Sequence, residues 1–145
     1  MSKVKLEDLS VGNYVCAEIT SGVSGNVQLT PPMRIVSLGE GAGGWVNLVI
    51  DPEQGDPFEY TPNEIRGVPI TYDIIKAIGF TPMDEDEKDD DQNCWELENM
   101  CYIYLIVGVW RIRSYSDLGV ICDVNNVHEL QNAFRLMKID KQFTL

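Results

Sequence analysis

The chain has little that would mark a common activity. It carries one histidine, His128, and four cysteines at 16, 94, 101 and 122, none of them in a CxxC pair. That excludes the usual zinc-ribbon and thioredoxin-type spacings. The cysteines read as free thiols in a reducing compartment, with Cys94 and Cys101 expected as cross-strand neighbours in β-like sequence. Basic residues are scarce: 11 Lys and Arg stand against 23 acids, for a net charge of −12. So few cations argue against nucleic acid, whose phosphates need clustered Lys and Arg, and against anionic membranes. The longest uncharged apolar stretch, residues 99–110, falls well short of the roughly 20 residues that a spanning helix needs. The start, MSKVKLE, has no apolar core of a secretory signal, so the expected location is the cytoplasm.

What is present is a 44% hydrophobic chain of 145 residues, enough for a buried core. Short runs rich in Val, Ile, Tyr, Trp and Thr, split by Gly and Pro, predict β structure. Strands are expected at 14–19, 27–30, 33–38 and 45–50, with Pro31-Pro32 stopping the second. Residues 51–61 read as a polar, broken connection, and 63–70 as the strand that completes a small sheet. The spacing over 8–70 predicts an SH3-like small β-barrel or sheet unit.

The period then changes. Thr71 is placed to cap a short helix, Asp73 sits in its first turn, Gly79 suits a left-handed stop, and Phe80 is set to fold back on an isoleucine. After an acidic segment, 94–98 and 101–107 read as strands. The second is apolar on both faces and so central, with Gly108 as a bend or bulge before 109–113. Residues 114–117 turn the chain and 119–123 form a last strand. Asn126 and Glu129 make a capping box for a helix that runs to about Lys138, with Val127, Leu130, Phe134 and Met137 as its apolar stripe. The predicted class is α+β: the N-terminal unit, a short central helix, then an antiparallel meander with a C-terminal helix. It forms one compact domain with a β-rich lobe at 1–80, an acidic loop at 84–93 and a second lobe at 94–145.

Three short segments, DLSVGNYV (8–15), GVPITYDIIKAIGF (67–80) and NNVHELQNAFRLM (125–137), are similar to a group of small uncharacterised proteins of gut Bacteroidales and their phages. The resemblance covers about a third of the chain and is most specific at Val127-His128-x-Leu130-Gln131-Asn132. The Thr-Gly-Glu-Glu ending common in that group is replaced here by Ile139-Asp140-Lys141-Gln142. The resemblance implies a phage or mobile-element setting inside a bacterial host. It brings no known reaction, and hence no catalytic residues.

The charge is concentrated. Residues 84–91, DEDEKDDD, hold seven acids and one lysine. Calcium loops alternate their carboxylates around a glycine, which this run lacks, so it is not read as a metal site. Two readings remain: a solvated linker, since like charges repel, or a negative surface for a basic partner. In a phage setting the second gains weight, because carboxylates can stand in for phosphates against host nucleic-acid enzymes. GEGAGG (39–44) lacks the lysine and following helix of a phosphate loop and reads as a hairpin loop. His128 and Cys122 make no pattern that nominates catalysis.

The expected function is therefore a non-enzymatic interaction protein without cofactor. It binds a host protein with a basic surface, a defence or nucleic-acid-handling factor, through Asp84, Glu85, Asp86, Glu87, Asp89, Asp90 and Asp91. The alternative is a protein that binds or sequesters a nucleotide signal, using Trp45, Trp110, Arg111, Arg113 and Tyr115 in a pocket, with an oligomer interface as one place for it. The simplest account of the two arginines is that they offset the nearby acidic run. A virion structural component is the third reading.

Overall fold

The structure is a computed structural model that describes residues 3–20, 22–39, 45–49, 57–83, 93–98, 100–115, 121–143 and 145, with backbone alone at 45–49 and 93. It is α+β, with two α-helices and two antiparallel sheets among the described residues. The chain divides into two compact units, Met1–Pro69 and Ile70–Leu145. The short helix after residue 70 therefore belongs to the second unit, whereas the lobe read from sequence ran to 80.

In the first unit, β1 (Tyr14–Thr20) is the organising strand. Val15 pairs with Met33 on one edge and with Gly67 on the other. The remaining strands are β2 (Val27–Leu29), β3 (Met33–Gly39), β4 (Trp45–Val49), β5 (Phe58–Tyr60) and β6 (Ile65–Gly67). They run β2-β1-β3-β4-β5, with β6 on β1. The core joins Val15 and Ala17 of β1 to Met33, Ile35, Ile65, Val4 and Leu9.

Pro31-Pro32 bends this sheet but does not end the pairing. Glu18 faces Leu29 and Val15 faces Met33, so β2 and β3 are successive parts of one partner with one extra residue between them. Proline cannot donate to a ladder. Thr30 bridges the gap: its N–H donates to the Ala17 carbonyl, and its hydroxyl accepts from the Ala17 N–H, both at 2.8 Å.

Of the expected SH3-like barrel or sheet unit, the closed barrel is not formed. Among the described residues no pairing joins β5 to β6. The edge of β6 away from β1 is taken by a bridge from Lys3 to Arg66. A short 3-10 turn, Pro62–Glu64, leads into β6, and β5 is a strand that sequence reading passed over inside a polar stretch.

The second unit is a five-stranded meander, ordered β11-β10-β9-β8-β7. Its strands are β7 (Thr81–Pro82), β8 (Asn93–Leu97), β9 (Cys101–Ile106), β10 (Val109–Ser114) and β11 (Ile121–Val124). Pro82 lies on the edge strand, where a missing N–H costs least. The strand that reads as apolar on both faces, β9, is the central one.

Gly108 is not a bend within a strand. Ile106 faces Val109, so the chain reverses over Val107-Gly108, whose φ values of 49° and 77° are those of a type I′ turn. Such turns favour Asn-Gly, and a β-branched residue in this conformation is strained.

Helix α1 (Tyr72–Ile78) starts as expected, with the Thr71 hydroxyl accepting from the Ile74 N–H at 3.3 Å. It ends in a Schellman motif. Gly79, at φ 117°, donates to the Lys76 carbonyl, and Phe80 donates to that of Ile75. Helix α2 (Val127–Leu136) opens with the Asn126 N–H donating to Glu129 Oε1 at 3.1 Å. It closes with the same hydrogen bonds, from Lys138 to Arg135 and from Ile139 to Phe134. Here Lys138, at φ 59°, stands where glycine is preferred.

Alternation along the meander gives it two faces. Trp95, Leu97, Cys101, Ile103, Trp110, Ile112 and Val124 share the inner face. Tyr72 of α1 lies 5.5 Å from Trp110 and 6.0 Å from Trp95, ring centre to ring centre. Phe134 of α2 packs with Phe80 and Phe143. Cys94 and Cys101 are not neighbours: Cys94 pairs with Tyr104 and Cys101 with Leu97, which puts the two thiols on opposite faces.

Two changes test this architecture by urea unfolding. Val107→Asn relieves the turn without touching the core and should stabilise the second unit by about 1 kcal/mol; a loss of stability contradicts the turn assignment. Thr30→Val strands the buried Ala17 N–H and should destabilise by about 1–3 kcal/mol, whereas a neutral effect contradicts the bridging role of the hydroxyl.

Candidate interaction surface

Two features of the second unit bear on function. The first is the setting of the acidic run. Asp84, Glu85, Asp86, Glu87, Asp89, Asp90 and Asp91 lie outside the described residues, as do residues 40–44 of GEGAGG and the side chain of Trp45. The flanks of the acidic run are described, and they are paired with each other. Thr81 faces Glu96, Pro82 faces Trp95, and the Met83 N–H donates to the Cys94 carbonyl at 3.0 Å. The run thus connects adjacent antiparallel strands of one sheet, as a loop does, and is not a linker between lobes. Half of the net charge of −12 falls on residues 84–91.

The second feature is the outer face of the meander. Register places two rows of side chains across it. One row runs Glu96, Tyr102, Arg113, Ile121; the other runs Cys94, Tyr104, Arg111, Asp123. Tyr102 stacks on Tyr104 at 5.7 Å between centroids, and Tyr115 lies 5.2 Å from Tyr102. The Tyr115 hydroxyl donates to Glu96 Oε2 at 3.2 Å.

The two arginines differ. Arg111 Nε donates to Asp123 Oδ1 at 2.7 Å. This hydrogen bond, reinforced by the opposite charge, raises the Arg111 pKa and lowers that of Asp123 below the usual carboxylate value. A carboxyl held low in the folded state favours folding at neutral pH, and the gain is lost only as pH falls through that lowered value. Both groups are exposed, so salt screening keeps the pair weak. Arg113 is exposed and makes no ion pair with any described residue.

Of the residues nominated for a small-ligand pocket, those on β10 fall on two faces of the meander. Arg111, Arg113 and Tyr115 share the outer face. Trp110 is 6% exposed and points to the inner face. Trp45 belongs to β4 in the first unit. Sequence reading missed Tyr102, Tyr104, Glu96 and Asp123. The tyrosines carry a signal, the alternation of CYIYLI, but their rows with Glu96 and Asp123 exist only through register. Among the described residues, the ion-pair partner of Arg111 is Asp123.

The first unit has an open groove of about 470 Å³ lined by Glu18, Ile19, Thr20, Tyr60, Asn63, Glu64 and Arg66. Its one cation is taken. Arg66 pairs with Glu18 and donates to the carbonyls of Asn63 and Ile65 at 2.6 and 2.9 Å. Glu64 accepts from the N–H and hydroxyl of Thr61. His128 is buried in α2 at 3% exposure, and no group of three His, Cys, Asp or Glu among the described residues is placed to hold a metal.

None of the four cysteines is in a disulfide, and three of the four are buried. Burial raises the Cys16 pKa and pushes that of Cys101 up to about 12, so neither offers thiolate at neutral pH. Cys122 is partly exposed. A thiol reagent should therefore modify Cys122 first in the native protein and all four sites only after unfolding. Fast native labelling of Cys16 or Cys101, read by mass spectrometry, contradicts their burial.

No helix among the described residues is long and apolar enough to cross a membrane. Compared with known proteins, the chain matches no family, no curated sequence and no solved structure.

Proposed function

We propose that this chain is a non-enzymatic interaction protein of a phage or mobile element. It acts inside the bacterial host and presents the carboxylates of 84–91 to a basic surface on a host protein. The reading is supported above all by the paired flanks. The bond from Met83 to Cys94 holds both ends of the acidic segment at one point of the sheet. Flanks tethered in this way cannot separate as the two ends of an open linker would. Their field extends about 8 Å at physiological ionic strength before salt screens it, and it favours fast encounter with Lys- and Arg-rich surfaces. The first unit supports a scaffold role. Its order β6-β1-β3-β4-β5, with a 3-10 turn ahead of β6, is compatible with an opened SH3-like unit.

A second reading, a nucleotide-signal binder, is favoured by one observation: Arg113 is exposed beside Tyr102 and has no ion-pair partner among the described residues. It ranks lower because the outer face is a sheet surface from which Trp110 points away. A nucleotide that raises the melting temperature, with the effect lost in Arg113→Ala, would reverse the ranking.

The leading reading is tested in two steps. A host protein captured by the wild-type chain is purified, and its affinity is measured against a variant with Asp84, Asp86, Asp89, Asp90 and Asp91 changed to Asn. Affinity should fall by about tenfold or more, and wild-type affinity should itself drop steeply as salt rises. Unchanged affinity in the variant overturns the proposal.

A further inference from the structure

We infer that the outer face of the five-stranded sheet is a dimer interface, occupied by the same face of a second copy. This does not rest on the role proposed for the acidic loop. It rests on the order of charges along one row. Glu96, Tyr102 and Arg113 stand side by side on β8, β9 and β10. Neighbouring strands are about 4.8 Å apart, so the two opposite charges flank the tyrosine at about 10 Å from each other.

Such a row is complementary to itself. A two-fold axis lying along β9, between two facing sheets, maps β8 of one copy onto β10 of the other. Arg113 then meets Glu96 of the second copy, and Glu96 meets its Arg113. Tyr102 and Tyr104 each meet their own counterpart once, at the axis, and the Arg113–Glu96 pair occurs twice, as in any isologous contact. Arg111 is already satisfied by Asp123 in its own chain. Among the described residues, Glu96 is held in place by the Tyr115 hydroxyl through Oε2 alone, which leaves its other oxygen for a guanidinium. Tyrosine and arginine are the side chains that protein interfaces concentrate.

Charge argues against the other occupants. A strand of nucleic acid would set phosphates against a unit that carries the seven acids of 84–91. A basic protein segment would meet Arg113, which has no ion-pair partner among the described residues. A second copy meets neither obstacle at contact range. The mutual repulsion of two chains of net −12 acts at longer range and is screened beyond about 8 Å at physiological ionic strength. Under this axis the Met83–Cys94 corners of both sheets lie at the same end of the dimer, because rotation about β9 preserves direction along that strand.

The test is the mass in solution at about 0.15 M salt, by sedimentation or light scattering, at chain concentrations up to about 0.1 mM, which detects any dissociation constant tighter than that. The wild type should have twice the 16.3 kDa of one chain. Arg113→Glu and Glu96→Arg, each alone, should weaken the dimer by about thirtyfold or more. Mixed in equal amounts, these two variants should form a heterodimer, because one then offers two acids where the other offers two arginines. That rescue separates a lost contact from a lost fold. Tyr102→Asp should also be monomeric, with an unchanged circular dichroism spectrum. A monomeric wild type overturns the inference. So does a dimer indifferent to all three changes, or a mixture of the two charge variants that stays monomeric.

Discussion

Antiparallel register in the second unit is the constraint from which its surfaces follow. Once Ile103 faces Ile112 and Trp95, every neighbour along β8, β9 and β10 is assigned to a face by the two-residue period of a strand. The inner face receives Leu97, Cys101, Trp110 and Val124, and is covered by aromatic contacts from α1. The outer face receives the tyrosines, both arginines, Glu96 and Asp123. A slip of one residue would bury Arg111 and Arg113 and expose Trp110. The hydrophobic cost of that exchange, of order 25 cal/mol for each Å² of apolar surface moved into water, together with the cost of burying two guanidinium groups, fixes the pairing.

The same register fixes how the flanks of the acidic run are attached. Charge alone left it open as a linker or a presented surface. Pairing of β7 with β8 joins its two flanks, so its carboxylates share one point of attachment on a folded sheet. The outer face and the acidic segment are thus separate consequences of one meander. The first concentrates aromatic and mixed-charge groups, and the second concentrates negative charge alone.

How much of this could be read in advance depended on the strength of local signals. Both helices were legible because their ends are encoded within a few residues: Thr71 and Gly79 for α1, Asn126 and Glu129 for α2. Strand β9 was recognisable from its two apolar faces. The hairpin at Val107-Gly108 was not, because valine hides a turn that usually announces itself with Asn or Asp. Pro31-Pro32 read as a stop because the compensating hydrogen bonds of Thr30 depend on a strand a dozen residues away. The barrel expectation failed on a single pairing, Lys3 with Arg66, which occupies the edge that closure would need. Of the candidate site, Arg111, Arg113 and Tyr115 were visible as a cluster. Their partners Tyr102, Tyr104, Glu96 and Asp123 come from three other strands and the turn geometry between them, which periodicity within one strand cannot supply.

The central claim is that the acidic segment is held at both ends by one sheet. Amide hydrogen exchange, resolved by NMR, tests it at one atom. The Met83 N–H, bonded to the Cys94 carbonyl at 3.0 Å, should exchange at least about tenfold more slowly than in an unstructured peptide, in step with the amides of β8. Exchange at the free-peptide rate at Met83, while β9 and β10 stay protected, would show that the flanks are unpaired and that the segment is a linker after all.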